Sequence, residues 1–145
     1  MPDENLKLTI GLDRLIYKPH ERILCTVILT NTGSKPVPVN KRLLVNTPHA
    51  PEPFREVTFE ILSPSKEILN FRTRINVGPP NEDDIAELGP SESVEHVYDA
   101  AHDFLFEEKG EYTIRAVYEN RFDFEGKGEV WKGRLESNIL TFRLE

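Results

Sequence analysis

Apolar and polar side chains alternate along many short segments of this chain, which is the period of a β-strand with one buried face. In residues 6–12, LKLTIGL, every second residue is apolar and the residues between them are Lys, Thr and Gly. The same alternation predicts further strands at 57–61, 94–98, 111–118 and 140–144. The chain is therefore expected to consist of strands with one dry face.

Other segments predict strands with a different setting. Residues 22–30, RILCTVILT, are apolar at both odd and even positions, which predicts a central strand covered on both sides. Residues 37–45 predict a third strand whose first half lies at an edge or bulge, because Pro36 and Pro38 cannot donate ladder hydrogen bonds. Strands are also predicted over 68–75 and 126–135.

The 68–75 segment, ILNFRTRI, offers Ile68 or Leu69, together with Phe71, as candidates for burial. Residues 101–110 fit either a short helix or a strand, because Phe104 and Phe106 suit both. Their secondary structure stays open from sequence.

Two long loops interrupt the strands, at 46–53, NTPHAPEP, and at 77–84, VGPPNEDD. Three prolines in the first loop, and Gly, Pro and acidic residues in the second, disfavour regular structure. Whether either loop takes part in function stays open at this point.

About eight or nine short strands without a long helix predict an all-β fold. We expect an immunoglobulin-like β-sandwich of two antiparallel sheets, with a closed barrel as the alternative architecture. The 145 residues and an apolar share of 38% suit a single domain over 1–145.

The segment 108–118, EKGEYTIRAVY, resembles the tyrosine corner of immunoglobulin-like domains. The resemblance implies that the ring of Tyr112 fills the rim of the core and that its hydroxyl bonds to the chain a few residues upstream. It also places Ile114 and Cys25 where antibody domains have their two core cysteines. A single cysteine cannot form that bridge, and no Trp lies on the presumed third strand.

A wider pattern is similar to a group of bacterial and archaeal immunoglobulin-like modules. It consists of Tyr17, Pro19 and Glu21 ahead of the 22–30 strand, then the Asn-Thr-Gly turn at 31–33. The group includes cell-adhesion-related domains, domains of the intracellular proteinase inhibitor type, and amino-terminal domains attached to some secreted proteases. The resemblance implies a protein-binding or inhibitory role, although one sandwich fold carries many activities.

A net charge of -7 argues against nucleic acid as the main partner, because such binding relies on Lys and Arg. Two basic pairs occur at strand spacing, Arg72 with Arg74 and Lys132 with Arg134, and both are interpreted as solvated strand faces. No apolar run reaches the length of a membrane span. Membrane insertion is therefore not expected.

The first ten residues carry acidic side chains where a secretory signal needs basic ones. The chain as given is expected to be cytoplasmic, or extracytoplasmic if it is a fragment of a secreted precursor.

Several residues are candidates for functional sites. Cys25 lies in an apolar strand and is expected to be buried and inert. His96, Asp99 and His102 follow each other at intervals of three, but strand geometry sends successive members to opposite faces, so they are interpreted as solvated residues and not as zinc ligands. His49 has no candidate ligand nearby.

The acidic group in the second long loop is interpreted as solvated, with calcium binding as the alternative. This group consists of Glu82, Asp83, Asp84 and Glu87. Trp131 is predicted to pack in the core or at its rim, and the alternative is a surface platform for a sugar or peptide with Tyr118 and Phe122.

No catalytic, cofactor-binding or metal-binding residues are therefore predicted, and a non-enzymatic role is expected. The leading hypothesis is a protein-interaction or scaffold module with a protein partner. The alternative is a proteinase inhibitor or protease-attached accessory domain, in which loop 46–53 or 77–84 would enter a protease cleft.

Overall fold

A computed structural model describes residues 5–51, 55–74, 78–122 and 129–145. In these residues the chain is a β-sandwich, which confirms the predicted all-β fold. In chain order the strands are β1 (Leu6–Leu12), β2 (Ile16–Tyr17), β3 (Leu24–Asn31), β4 (Val37–Asn40), β5 (Val57–Leu62), β6 (Ile85–Leu88), β7 (Ser93–Asp99), β8 (Gly110–Asn120), β9 (Gly133–Glu136) and β10 (Leu140–Leu144).

The first sheet has the strand order β1-β3-β7, and both pairings are antiparallel. Its central strand β3 buries Cys25, Val27 and Leu29, while Leu24 and Ile28 on the opposite face are half-buried. The prediction of a strand covered on both sides was therefore wrong, because β3 is central in its sheet but has a packed layer on one face alone.

The second sheet has the order β2-β10-β8-β5, and β9 also pairs with β8. Its pairings are antiparallel except for the short contact between β2 and β10, which is parallel. Val57, Phe59 and Ile61 of β5 are buried, as their alternation predicts, opposite Tyr118, Ala116 and Ile114 of β8. β8 is the longest strand and lies at the centre of this sheet.

The core lies between the two sheets. Phe59 of β5 stacks on Tyr98 of β7 with ring centroids 5.1 Å apart, which connects the sheets at one side. Cys25 and Ile114, which the resemblance would place at the positions of the two core cysteines of antibody domains, are both fully buried. The order β1-β3-β7 against β10-β8-β5 is the arrangement of strands A, B and E against G, F and C in an immunoglobulin-like sandwich.

The structure adds the strands β2 and β6, which the sequence pattern did not predict. β6 pairs with β4 in a separate two-stranded ribbon. The predicted strand over 37–45 is observed as the shorter β4, and Pro38 lies in β4 where that strand has one paired side, as expected for an edge. In 68–74 no strand forms: Ile68 makes an isolated bridge to Leu62 and is 70% exposed, while Leu69 and Phe71 are half-buried. Residue 75 of that predicted strand lies outside the described residues.

The predicted strand over 126–135 is observed as the shorter β9, and residues 126–128 lie outside the described part of the chain. The stretch 101–110, which the sequence left open, contains the end of a one-turn helix, α1 (Ala100–Asp103), in which Asp99 caps the first turn.

The tyrosine corner is present. The ring of Tyr112 is buried and its hydroxyl donates a hydrogen bond to the backbone carbonyl of Glu108, as the resemblance implies. Gly110 has a φ of 129°, and a Cβ there would meet the ring of Pro64 at 3.0 Å, so this turn requires glycine.

None of the helices in the described segments is long and apolar enough to cross a membrane.

Candidate functional site

The candidate site is a groove on the second sheet, which we call the outer-face groove. It runs over β5, β8 and the residue before β10, and has a volume of about 660 Å³. Its lining is Thr47, Pro48, His49, Phe59, Glu60, Leu62, Ile68, Leu69, Asn70, Phe71, Thr113, Ile114, Arg115 and Ile139. Ile68 and Ile139 are 70% and 62% exposed. Two large aliphatic side chains in contact with water therefore lie in one depression.

Strand register explains the floor of the groove. Leu62 of β5 lies opposite Thr113 of β8, and both line the groove. Paired strands place opposite residues on the same face, so these two side chains lie next to each other on the outer face of the sheet. Neither carries a charge, which leaves this part of the floor suited to apolar contact.

Charges border this floor on one side. Arg115 of β8 contacts Glu60 of β5, with 3.0 Å between Nε and Oε1, and contacts Glu136 of β9, with 3.2 Å between NH1 and Oε1. Arg134 also bonds to Glu136 at 2.5 Å. These guanidinium groups, Arg134 first, lower the pKa of the Glu136 carboxyl. A polar rim beside an apolar floor is the general composition of a protein-binding surface.

The first long loop reaches this groove and is tied to the sheet. Thr47, Pro48 and His49 line the groove. Arg55 donates from NH1 to the carbonyl of Ala50 at 3.2 Å, and its Nε bonds to Glu119 of β8 at 3.2 Å. His49 is exposed and thus lies at a groove edge, which the sequence did not predict.

The second long loop is tied in the same manner. Arg42 donates from NH1 to the carbonyl of Gly78 at 3.0 Å, and its guanidinium also binds the buried carboxylate of Glu56. Glu56 is 2% exposed. Each described loop segment is therefore anchored by an arginine whose charge is balanced inside the fold.

The acidic residues of the second loop have structural roles in part. Glu82, Asp83 and Asp84 form a 3-10 helical turn, and Asp84 accepts a hydrogen bond from the backbone of Asn81 at 2.9 Å. Glu87 lies on β6 and is exposed. These carboxylates belong to a turn and a strand and do not converge on one point.

The histidines and Asp99 that the sequence singled out are also separated. His96 is exposed on β7, and the carboxylate of Asp99 accepts bonds from the backbone of Ile23 and Ala101. His102 contacts Asp103 instead, with 2.9 Å between Nδ1 and Oδ1. Among the residues that the structure describes, no three His, Cys, Asp or Glu side chains form a group that could hold a metal ion.

Asp103 is the centre of a buried polar cluster that was not predicted from the sequence. It is 5% exposed and accepts hydrogen bonds from Thr73 and from the hydroxyl of Tyr98, while its backbone carbonyl accepts from Arg72 at 2.8 Å. Burial, followed by the Asp103 bond, raises the pKa of Tyr98 well above its usual range. This cluster fastens residues 72–73 to α1 and so supports one wall of the groove.

Two sequence interpretations are confirmed by burial. Cys25 is fully buried, and desolvation raises the pKa of its thiol to about 12. Trp131 is 7% exposed and stacks on the fully buried ring of Tyr118 at 5.6 Å, so the two rings pack in the interior and form no surface platform. Neither residue is part of the groove.

Sequence reasoning missed the residues of the outer-face groove. The sequence makes Ile68 a candidate for the core, and it places Ile139 at the start of the closing strand 139–144, off the face formed by Leu140, Phe142 and Leu144. The signal that could have identified Ile139 is its parity, because it alternates with the inward-facing Leu140, Phe142 and Leu144.

No protein-family model matches this chain, and no curated protein matches it.

Proposed function

We propose that this chain is a non-enzymatic protein-interaction module that binds an apolar segment of a partner protein in the outer-face groove. The observation that carries the proposal is the pair of exposed side chains, Ile68 and Ile139, in a groove large enough for several apolar side chains. Burying apolar surface contributes about 25 cal/mol for each Å² removed from water. Exposed apolar side chains in one depression therefore favour binding of a partner that removes them from water.

The rim supplies orientation. Arg115, Glu60 and Glu136 are held by each other, so they form a fixed row of both charge signs beside the floor. Mixed charges at a rim favour one alignment of a partner over others and contribute more to specificity than to affinity. The net charge of -7 disfavours nucleic acid as that partner.

The test places a charge in the groove. Ile68→Asp combined with Ile139→Asp is expected to abolish capture of the partner from the native cell lysate and to leave the thermal midpoint nearly unchanged, because both side chains are exposed. The matched control is Leu15→Asp, which alters a residue 65% exposed that does not line the groove. The control is expected to retain binding.

Capture that survives the double substitution, or that is lost equally in the control, would contradict the proposal. If the wild-type chain captures a partner, titration calorimetry measures the affinity, and burial of apolar surface should give a negative heat-capacity change of binding.

The second candidate is a proteinase inhibitor or a protease-attached accessory domain. It is favoured by the anchoring of the two loops, since Arg55 holds Ala50 and Arg42 holds Gly78. A loop that enters a protease cleft binds more tightly when it is already held in one conformation. A panel of serine, cysteine and metalloproteases with excess protein tests this role, and Arg55→Ala should weaken any inhibition that loop 46–53 provides. A panel without inhibition removes this candidate and leaves the groove proposal unaffected.

A further inference from the structure

The outer edges of β1 and β5 are covered by the chain itself. On β1, the side chain of Asn138 bonds to both backbone groups of Ile10, at 2.8 Å to the N–H and 3.2 Å to the carbonyl. On β5, the backbone of Val57 bonds to Leu44 and Asn46, each at 3.0 Å. The carbonyl of Ile61 accepts from Leu69 at 2.9 Å. Such covering blocks the addition of another strand.

The edge at β7 differs from these two. β7 pairs with β3 on one side, and its other side has no strand neighbour in the described part of the chain. Glu95, His96 and Val97 are exposed, and Val97 is 55% exposed although it is a large apolar residue. The edge of the first sheet is therefore open along a strand of seven residues.

The hydrogen bonds at both ends of β7 show which backbone groups point outward. Ala100 donates to Ile23 at 2.9 Å and Asn31 donates to Glu92 at 2.9 Å, so the even-numbered residues exchange bonds with β3. The N–H and carbonyl groups of the odd-numbered residues 93, 95, 97 and 99 then face away from the sheet. No hydrogen bond within the described segments reaches the backbone of Glu95 or Val97.

We propose that this open edge pairs with the β7 edge of a second copy of the chain, antiparallel about a two-fold axis. The three-stranded sheets of two copies would join into one continuous sheet of six strands. A two-fold axis places β7 of one copy beside β7 of the other. The outward N–H and carbonyl groups at alternate residues of one strand can therefore bond to the same groups of the other strand.

Charge selects the register of this pairing. Outward-facing residues must oppose outward-facing residues, so the axis passes through residue 95, 96 or 97. An axis at 95 opposes two copies of Glu95, and an axis at 97 opposes Glu95 to Asp99; like charges that face each other directly are destabilising. The axis at His96 avoids both: it opposes Glu95 to Val97, Ser93 to Asp99, and the two copies of His96 to each other.

This register also shelters apolar surface. Each Val97 lies directly across from the aliphatic part of Glu95 of the other copy, which covers part of the exposed apolar surface of Val97. The contact area of a single strand edge is small, so the dimer is expected to be weak and concentration-dependent.

The test uses two opposite charges at one exposed position. Val97→Lys places a lysine opposite Glu95 twice in each dimer and is expected to tighten dimerisation about fivefold, whereas Val97→Glu places like charges there and weakens it by a similar factor. Sedimentation equilibrium on the full chain of 16.7 kDa measures the dissociation constant of each. The thermal midpoint at low concentration checks that both variants fold.

Hydrogen exchange supplies the second measurement. At high concentration the amides of Glu95 and Val97 are expected to gain protection, and the amide of Ile10 serves as a control because Asn138 already bonds to it. A protein that stays monomeric up to about 1 mM, the limit for even a weak complex, overturns the proposal. Equal weakening of the dimer by both variants also overturns it, because that result would indicate an axis at residue 97. A dimer whose dissociation constant neither variant changes overturns it as well.

Discussion

The two ends of β8 are closed by different chemistry. At its start, around Gly110, the groups that complete the core are neutral and aromatic. At its end, around Glu119 and Asn120, they are buried ions and amides. One strand therefore shows two ways to satisfy polar groups at the rim of a dry core.

At the start of β8, Tyr112 stacks on Phe142 with ring centroids 5.3 Å apart and planes within 7°. Phe106 lies edge-on to Tyr112 at 5.2 Å, and Tyr17 lies edge-on to Phe142 at 5.6 Å. The hydroxyl of Tyr112 bonds to Glu108, four residues away. This end is built largely from a local motif and aromatic contacts.

At the end of β8, the backbone N–H of Glu119 donates to the backbone carbonyl of Glu56, the residue before β5, at 2.7 Å, which sets two buried carboxylates on neighbouring segments. Arg42 balances Glu56, and Arg55 and Arg121 balance Glu119. Each charge is thus compensated by an arginine on another segment, and Glu119 also by Arg121 two residues along the chain. Such an arrangement stabilises the fold only while every partner is present.

The start of β8 is therefore expected to lose less stability than its end when one polar side chain is removed. A neutral hydroxyl leaves behind a carbonyl that water can reach, whereas an arginine leaves behind a carboxylate inside the protein.

The largest expected effect follows from Arg42→Ala. Glu56, which is 2% exposed in the native fold, would lose its counter-charge, so the free energy of unfolding is expected to fall by about 3 kcal/mol, measured by urea denaturation. The double variant Arg42→Met with Glu56→Leu should recover most of this loss, because it removes both charges together. The control is Arg14→Ala, whose pair with Glu21 is exposed, and no measurable change is expected there. A loss at Arg42 no greater than that at Arg14 would contradict the proposed difference between the ends.

A smaller loss of stability is expected when a tyrosine near either end of β8 is replaced by phenylalanine. Tyr118→Phe removes a hydrogen bond of 2.8 Å to the carbonyl of Asn40, where both residues are fully buried, and is expected to cost about 2 kcal/mol. Tyr112→Phe removes the bond to Glu108, an exposed residue, and is expected to cost about 1 kcal/mol because water replaces the hydroxyl. Both values come from chemical denaturation, and equal losses would show that burial of the acceptor does not matter here.

The same contrast explains how much the sequence could predict. The spacing of Gly110, Tyr112 and Ile114 predicts the corner because all its parts lie within a few residues of each other. Alternation predicts β1, β5, β7, β8 and β10 because a period of two follows directly from strand geometry. These features need no knowledge of which segments meet.

The closure at the other end depends on partners that are far apart in the chain. Arg55 and Glu119 are 64 residues apart, and with 18 basic and 25 acidic residues many other pairs were equally compatible with the sequence. The outer-face groove was missed for a related reason. Ile68 follows the turn after β5 and makes a single bridge to Leu62, after which the chain leaves β5 and Arg72 bonds to Asp103. The exposure of Ile68 therefore depends on the path of the chain in three dimensions and not on the residues next to it in sequence.

The last prediction concerns alkaline pH, where no effect is expected below about pH 10, and compares the two phenols again. Burial raises the pKa of Tyr118, and the charge of Glu56 adds to the increase; burial is also the main cause of the raised pKa of Tyr112. A folded-state pKa above the unfolded value gives stability that is present below about pH 10 and is lost as the pH rises toward the folded pKa.

Each phenol that stays protonated in the folded state can therefore add up to about 1.4 kcal/mol per pH unit to the slope of stability above pH 10. Tyr112→Phe and Tyr118→Phe should each flatten the slope of the unfolding free energy, measured by urea titrations at successive pH values. The flattening should persist to higher pH for Tyr118→Phe, because Tyr118 lies deeper and beside a carboxylate. A longer-lasting effect at Tyr112 would mean that the start of β8 is the more strongly desolvated end, and it would reverse the comparison.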